Sequence, residues 1–411
     1  MSGKEKRRST TKEKVELPAS FYILIGITVI MSLIGLVMVF SASQATGLAE
    51  YQDSFYYFKK QILWMIIGFA ALILLAKTDH RWLRRLSYPG MGISIILLIA
   101  VLIPGIGIIA GGARRWIMIG PFNVQPSEIA KLAMVLFCAV LLSGRQEKIH
   151  DPKFLLIPIV PLLCAVSLLV VIQPDLGTTL IIAMTVFIIL FAAGARLTHL
   201  FNLVAPAALA VAVIINRSPY MLERLLSFMN PEKDPTGSGF QIIQSKIALG
   251  SGHIFGVGLG LSKQKFFYLP AAHTDFILAI IGEEFGLIGT MFVLALFMIL
   301  GFIGIRIALK APTYYGRILA AGITSLIVLQ ATINMGAVTG IMPITGVPLP
   351  FISFGGTSLL FTLMGVGILL KIASQEGRVK EGVIDARHYF RRRDRRTSVS
   401  GDRPRKQARV S

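Results

Sequence analysis

What constrains this chain most is a succession of long apolar stretches separated by polar segments. A helix needs about 20 apolar residues to cross the roughly 30 Å hydrocarbon layer of a bilayer. Ten stretches approach that length: 21–40, 61–76, 88–110, 128–143, 154–172, 178–193, 197–215, 276–309, 317–342 and 359–372. With 54% of 411 residues hydrophobic and only 15% charged, the composition excludes an ordinary soluble domain. The expected fold class is therefore all-α, a polytopic membrane protein with about ten transmembrane helices. The first stretch follows basic residues, and Ser41-Ala42-Ser43 faintly suggests a cleavage site. Twenty apolar residues exceed a signal core, however, and nine more stretches follow, so an uncleaved anchor is expected.

Orientation follows from the Lys and Arg residues, which stay on the cytoplasmic side. Placing both termini inside puts most of the 41 basic residues there, including Lys4, Lys6, Arg7, Arg8, Lys12 and Lys14 and the run RRRDRR at 391–396. The net charge of +20 then reflects topology and attraction to anionic lipid, not nucleic-acid binding. The domain reading is a basic tail at 1–20, one ten-helix unit at 21–373, and a basic, disordered tail at 374–411. Cys138 and Cys164 both fall inside apolar stretches, so no disulfide framework or zinc pattern is present.

A large extracytoplasmic loop, 216–275, joins the seventh and eighth stretches and far exceeds an ordinary connection. Within it, FQIIQSKIALGSG at 240–252 has apolar residues at helical spacing around Gln241, Gln244 and Lys246, which predicts a re-entrant or interfacial helix. The following GSGHIFGVGLGLSKQK carries five glycines at 250–260 and ends in Lys263 and Lys265. It lacks the Gly-Lys-Ser/Thr ending of a nucleotide loop. A hinge and a phosphate cradle remain open, and the two lysines favour the cradle.

Asp275 falls where this loop meets the eighth stretch, at the outer membrane boundary. Partial dehydration there would raise its pKa toward a general base, whereas the bland alternative is a helix cap. Glu283 and Glu284 lie about 12 Å deeper along a helix, too far to share a substrate atom with Asp275. Pairing with an intramembrane cation such as Lys131 is the expected role, and a proton route is the alternative. Arg114 and Arg115 follow the third stretch on the outer face and suit diphosphate oxygens, although beside Trp116 they also suit an interfacial anchor. Lys59 and Lys60, after FYYF at 55–58, add cations at that level. Prolines and paired glycines break GIMPITGVPLPFISFGGTS at 340–358, which together with Asn334 predicts a cavity opening outward.

GARRW, QPSEIAKL, IALGSG, LPAAHTDFILAIIGEE and ITGVPLPFISFGGTS, in this order, resemble the SEDS family over about 21–372. The lead-in KQKFFYLP is closer to its division-type members (FtsW) than to its elongation-type members (RodA). The resemblance implies a peptidoglycan glycosyltransferase that polymerises lipid II at the outer face of the bacterial cytoplasmic membrane, at the division septum. It further implies a class B penicillin-binding protein and other divisome membrane proteins as partners, with no nucleic acid. Carried over by motif, Asp275 of HTDF is the catalytic residue. Arg115, Gln125, Glu128 and Lys131 are then functional, with Lys60, Lys263, Lys265 and Ser358 as candidate substrate or diphosphate contacts. His273, Glu283, Glu284 and Asn334 are accessory. Ala271 stands where Glu is common, His253 where Gly is common, and Lys60 where Arg is frequent.

Joining the two lines, Asp275 removes a proton from the acceptor hydroxyl, and the cations, with a divalent Mg or Mn ion as candidate cofactor, stabilise the departing diphosphate in an inverting transfer. A diphosphate leaves without a general acid, so one carboxylate suffices, unlike the pair in glycoside hydrolases. The alternatives are a lipid II flippase coupled through Glu283 and Glu284, and a division-complex scaffold without chemistry.

Overall fold

A computed structural model describes residues 17–376 except 111–112, 121, 146–150, 152, 154–156 and 238. Most of both basic tails lies outside the described residues. Twelve α-helices are described here in chain order: α1 (Ala19–Tyr51), α2 (Tyr56–Lys77), α3 (His80–Ala100), α4 (Pro126–Ser143), α5 (Val160–Ile172) and α6 (Leu176–Ala192). They continue with α7 (Leu197–Arg217), α8 (Pro219–Met229), α9 (Phe240–Ser251), α10 (Ile277–Lys310), α11 (Tyr314–Thr339) and α12 (Gly356–Glu376). Eight of these are long and apolar enough to cross a bilayer, and α5 and α6 are shorter apolar helices. Together they account for the ten apolar stretches.

The ends of the bundle are fixed by contacts between distant residues. Lys371 donates to the Lys77 carbonyl, Lys310 pairs with Glu376, and the Tyr314 hydroxyl donates to the Ala193 carbonyl, which gathers one set of helix ends. At the opposite end Tyr57 packs against His273 and Phe354, and Arg115 bonds the turn between α5 and α6. This second end is the one the basic-residue distribution assigns to the outside.

Two features differ from the all-helical expectation. The third stretch does not stay helical to residue 110. Helix α3 ends at Ala100, and a three-stranded antiparallel meander follows, β1 (Gly107–Ala110), β2 (Ala113–Ile119) and β3 (Phe122–Val124), with Ile108 opposite Trp116 and Ile117 opposite Val124. Its β-branched and aromatic residues suit a pleated surface, and apolar content alone did not separate them from the preceding helix. The first helix runs past residue 40 to Tyr51 and buries Ser41, Ala42 and Ser43.

The outer loop is ordered as α8, a short 3-10 turn (Pro231–Lys233) and α9, which packs against α10 and α11. Helix α10 is broken at Gly286, whose φ of +67° is left-handed. The break frees backbone groups that the glycine-rich loop satisfies. Val257 and Gly258 amides donate to the Glu283 and Glu284 carbonyls, while the Leu287 and Ile288 amides donate to the His253 and Ile254 carbonyls. Irregular backbone inside a membrane domain is tolerable when protein supplies these bonds. That loop is therefore a backbone splice to α10, correcting the expectation of a phosphate cradle.

Candidate functional site

Asp275 lies one residue before Phe276, the N-cap of α10, and that cap has no side-chain bond. The capping explanation for Asp275 therefore fails. Its carboxylate instead faces Gly346 of the loop between α11 and α12, where two guanidinium groups converge. A methyl group placed on Gly346 would lie 3.7 Å from Asp275 Oδ2 and 3.8 Å from an Nη1 atom of both Arg115 and Arg224. Asp275 keeps part of its surface open, yet surrounding protein dehydrates it, and that burial pushes its pKa up to about 6; Arg224 and Arg115 oppose the rise and Asp175 adds to it.

Each member is held by local structure. Strand β2 presents Arg115, whose Nε donates to the Gln173 carbonyl at 2.9 Å and whose Nη2 donates to the Pro174 carbonyl. Those bonds leave Nη1 directed at Gly346. Amphipathic α8 supplies Arg224, which donates to the Ile344 carbonyl at 3.3 Å. Asp175 caps α6, accepting from the Thr178 amide at 3.0 Å and its hydroxyl at 2.9 Å, and the Gln125 amide donates to it at 3.4 Å. Arg224 and Asp175 were missed in the sequence. A proline-aspartate turn in QPDLG and a basic residue on an amphipathic segment are the signals that could have found them.

A cavity of about 720 Å³ leads away from this cluster between α5, α6, α7 and α8. Leu163, Leu180, Phe187, Val204 and Val211 line it, and Arg224 with Ile344 marks its outer end. Helix α7, which walls one side, buries only Leu200 against the bundle. The cavity is thus apolar along its length and cationic at the mouth.

The other expected site residues divide. His273, half-buried between Tyr57 and Phe354, has its pKa lowered to about 4 chiefly by burial, so it is neutral near pH 7. The Asn334 amide donates to the Asp275 carbonyl at 2.8 Å, which attaches it to the site. Lys60 lies over the Tyr56 ring and bonds its hydroxyl at 2.5 Å. Glu128 and Lys131 form a buried pair at 2.7 Å, and Lys131 also donates to Gln330 at 2.6 Å, whose amide donates to Ser358 at 3.2 Å. These four are buried inside the bundle, and Glu128, Lys131 and Gln330 line a void of only about 10 Å³, room for about one water.

Lys131 is therefore not the partner of Glu283 or Glu284, contrary to expectation. Glu284 pairs with Lys265 at 3.0 Å and accepts from Ser41 at 2.7 Å. Glu283 accepts from the Ser262 hydroxyl and from the Lys263 and Gln264 amides. The deep carboxylates thus anchor the loop that descends beside α1 and α10. Lys265 is only 4% exposed and also bonds the Gly260 carbonyl at 2.7 Å, so it is no diphosphate contact in this arrangement. Lys263 is exposed, with its amide engaged by Glu283.

No group of three or more His, Cys, Asp or Glu able to hold a metal occurs among the described residues. Mg²⁺ is commonly held by one or two carboxylates together with substrate phosphates, and Asp275 and Asp175 are the pair this site could offer a divalent ion.

A family model described as cell cycle protein, covering FtsW, RodA and SpoVE, matches residues 21–378. Stage V sporulation protein E of Bacillus subtilis is 44% identical over 351 residues, covering 85% of this chain and 96% of that protein. A probable peptidoglycan glycosyltransferase FtsW of Trichlorobacter lovleyi is 43% identical over 352 residues, covering 86% and 92%. Among solved structures, a chain from a peptidoglycan synthase complex that coordinates polymerization and crosslinking superposes with a TM-score of 0.69 at 31% identity, covering 86% of this chain and 98% of that one. Thermus thermophilus rod shape determining protein RodA superposes with a TM-score of 0.63 at 28% identity, covering 85% and 95%. By motif order, helical architecture and these matches, the chain belongs to the FtsW/RodA/SpoVE family of integral membrane proteins.

Proposed function

We propose that this protein is a peptidoglycan glycosyltransferase that polymerises lipid II into glycan strands at the outer face of the cytoplasmic membrane during septal division. The observation that carries the reading is Asp275 held with Arg115 and Arg224 at the mouth of an apolar cavity. A substrate with a long polyprenyl chain and a diphosphate-linked sugar matches that combination: apolar wall for the chain, paired guanidinium groups for the diphosphate.

In the reaction, the ionised Asp275 carboxylate accepts the proton of the acceptor hydroxyl as its oxygen attacks the anomeric carbon of the donor sugar. The bond from that carbon to the diphosphate oxygen breaks, and an α-linked donor gives a β-linked product. Arg115, fixed by the Gln173 and Pro174 carbonyls, and Arg224 face the charge that develops on the departing diphosphate. A divalent cation, when bound, would neutralise part of the same charge. Because Glu283 and Glu284 are tied to Ser262, Lys265 and loop amides, they are poorly placed as carriers for a proton-coupled flippase. The peptidoglycan synthase complex among the structural relatives supports a class B penicillin-binding protein as partner. The division-type lead-in KQKFFYLP supports septal placement.

Purified protein given lipid II, with and without a class B partner, tests this reading. Polymer is expected from the wild type, and Asp275→Ala should lose about 10²–10⁴-fold in rate, the usual range for general-base catalysis. Polymer made at the wild-type rate by Asp275→Ala would overturn the assignment.

A further inference from the structure

Three consecutive carbonyls in the segment that carries Asp275 are each held by a group from elsewhere in the chain. The His273 carbonyl accepts from the Phe354 amide at 2.9 Å, the Thr274 carbonyl from the Ser353 hydroxyl at 2.5 Å, and the Asp275 carbonyl from the Asn334 amide at 2.8 Å. These holders are linked among themselves. Ser353 Oγ also accepts from the Leu349 amide at 2.9 Å, and the Asn334 nitrogen makes a second donation, to the Val347 carbonyl, at 2.8 Å. One turn earlier on α11, the Gln330 amide donates to the next carbonyl of that loop, Pro348, at 3.0 Å.

Gln330 and Asn334, spaced i to i+4, thus face the same way and hold two successive carbonyls of the segment adjoining Gly346. That segment in turn grips residues 273–275. The Asn334 carbonyl oxygen is buried without a partner among the described residues, so this side chain is used for its two hydrogens. Both clamped segments are non-helical, and an acid set only by a loop would wander by the ångström or so that disables attack.

The geometry points to Asn334 and Ser353 as positioning residues for the glycosyl transfer, acting through the backbone of 273–275 to hold the Asp275 carboxylate over Gly346. The inference rests on Asp275 being the base. Neither residue bonds the carboxylate or the arginines, so removing either disturbs the aim of the acid and leaves its charge environment intact. A role in mere folding would lower the number of competent molecules; a positioning role lowers turnover by each molecule that binds substrate.

Asn334→Ala and Ser353→Ala are assayed with purified protein and lipid II, with kcat counted per molecule that binds lipid II. Each is expected to lose at least about tenfold in kcat with KM within about twofold of wild type, and with the acid limb of the kcat/KM profile unmoved. Wild-type kcat per binding-competent Ser353→Ala molecule, or a loss confined to KM, would overturn the inference. Ser353→Ala removes one hydroxyl and serves as the test if Asn334→Ala does not fold. Full activity in Asp275→Ala would instead defeat the assignment of Asp275 as base, so the two failures are distinguishable.

Discussion

Asp275 and Arg115 meet over a residue that has no side chain: Asp275 Oδ2 and Arg115 Nη1 lie 3.7 and 3.8 Å from where the β-carbon of Gly346 would sit. Those distances are ordinary contacts, so a methyl group would fit. The φ of Gly346, +71°, would not suit it, because left-handed backbone costs an L-residue about 1–2 kcal/mol. Gly346→Ala should therefore lower thermal stability in detergent modestly and reduce kcat/KM more strongly, since the strain is released by moving the loop beneath the acid. Unchanged stability and activity would show that the loop tolerates the shift.

Asp275 titrates near pH 6 because it is dehydrated, and a base must be ionised to work, so kcat/KM should fall as pH drops through about 6. Arg224 holds this pKa down, hence Arg224→Gln should move the acid limb to higher pH, and Asp175→Asn, which removes a neighbouring negative charge, should move it lower. The same shift bears on stability. The folded state binds this proton more tightly than the unfolded chain, where an aspartate titrates at its ordinary 3.8, so the contribution is fully present below that value and is lost as pH rises through about 6. A pH-rate series on the three proteins checks the signs.

Lys265 and Lys263 should respond very differently to truncation. Lys265 is buried with Glu284 at 3.0 Å, and removing one member of a buried pair typically costs about 3–5 kcal/mol because the other charge is left stranded. Lys265→Met should therefore destabilise the protein severely, Lys265→Met with Glu284→Met should recover much of the loss, and Lys263→Met should change little. Thermal unfolding in detergent reads all three.

Gly286 is required for a different reason. A β-carbon there would lie 2.4 Å from the Ile254 carbonyl oxygen and 2.5 Å from the Gly256 nitrogen, both backbone atoms, at a φ of +67°. Gly286→Ala should force the splice between α10 and the glycine-rich loop apart and cost about 1–3 kcal/mol or more. Gly90, inside α3 with no atom within 4 Å of its would-be β-carbon, is the control, and Gly90→Ala should be neutral or slightly stabilising.

The division between what was legible and what was not follows sequence separation. Asp275 stood out because an acid at the edge of an apolar run is conspicuous whatever it touches. Arg224 did not, since a basic residue on an outer helix looks like any solvated charge until Gly346, more than a hundred positions away, is brought beneath it. The deep acids show the same limit. Their need for a partner was readable from the cost of a charge in hydrocarbon, but the choice of Lys265 over Lys131 was not, because it depends on the loop folding back beside α10.

By itself, the amino-acid sequence determined ten apolar stretches, the charge bias from which an orientation is read, and the family motifs, because hydrophobic length and charge bias act locally along the chain. Tertiary structure alone decided that 107–110, 113–119 and 122–124 would pair as strands, that Glu283 and Glu284 would anchor a loop, and that Asp275 would face two arginines. Those outcomes rest on contacts between segments far apart in the chain, and only packing the helices together selects among the partners that each buried polar group could have taken.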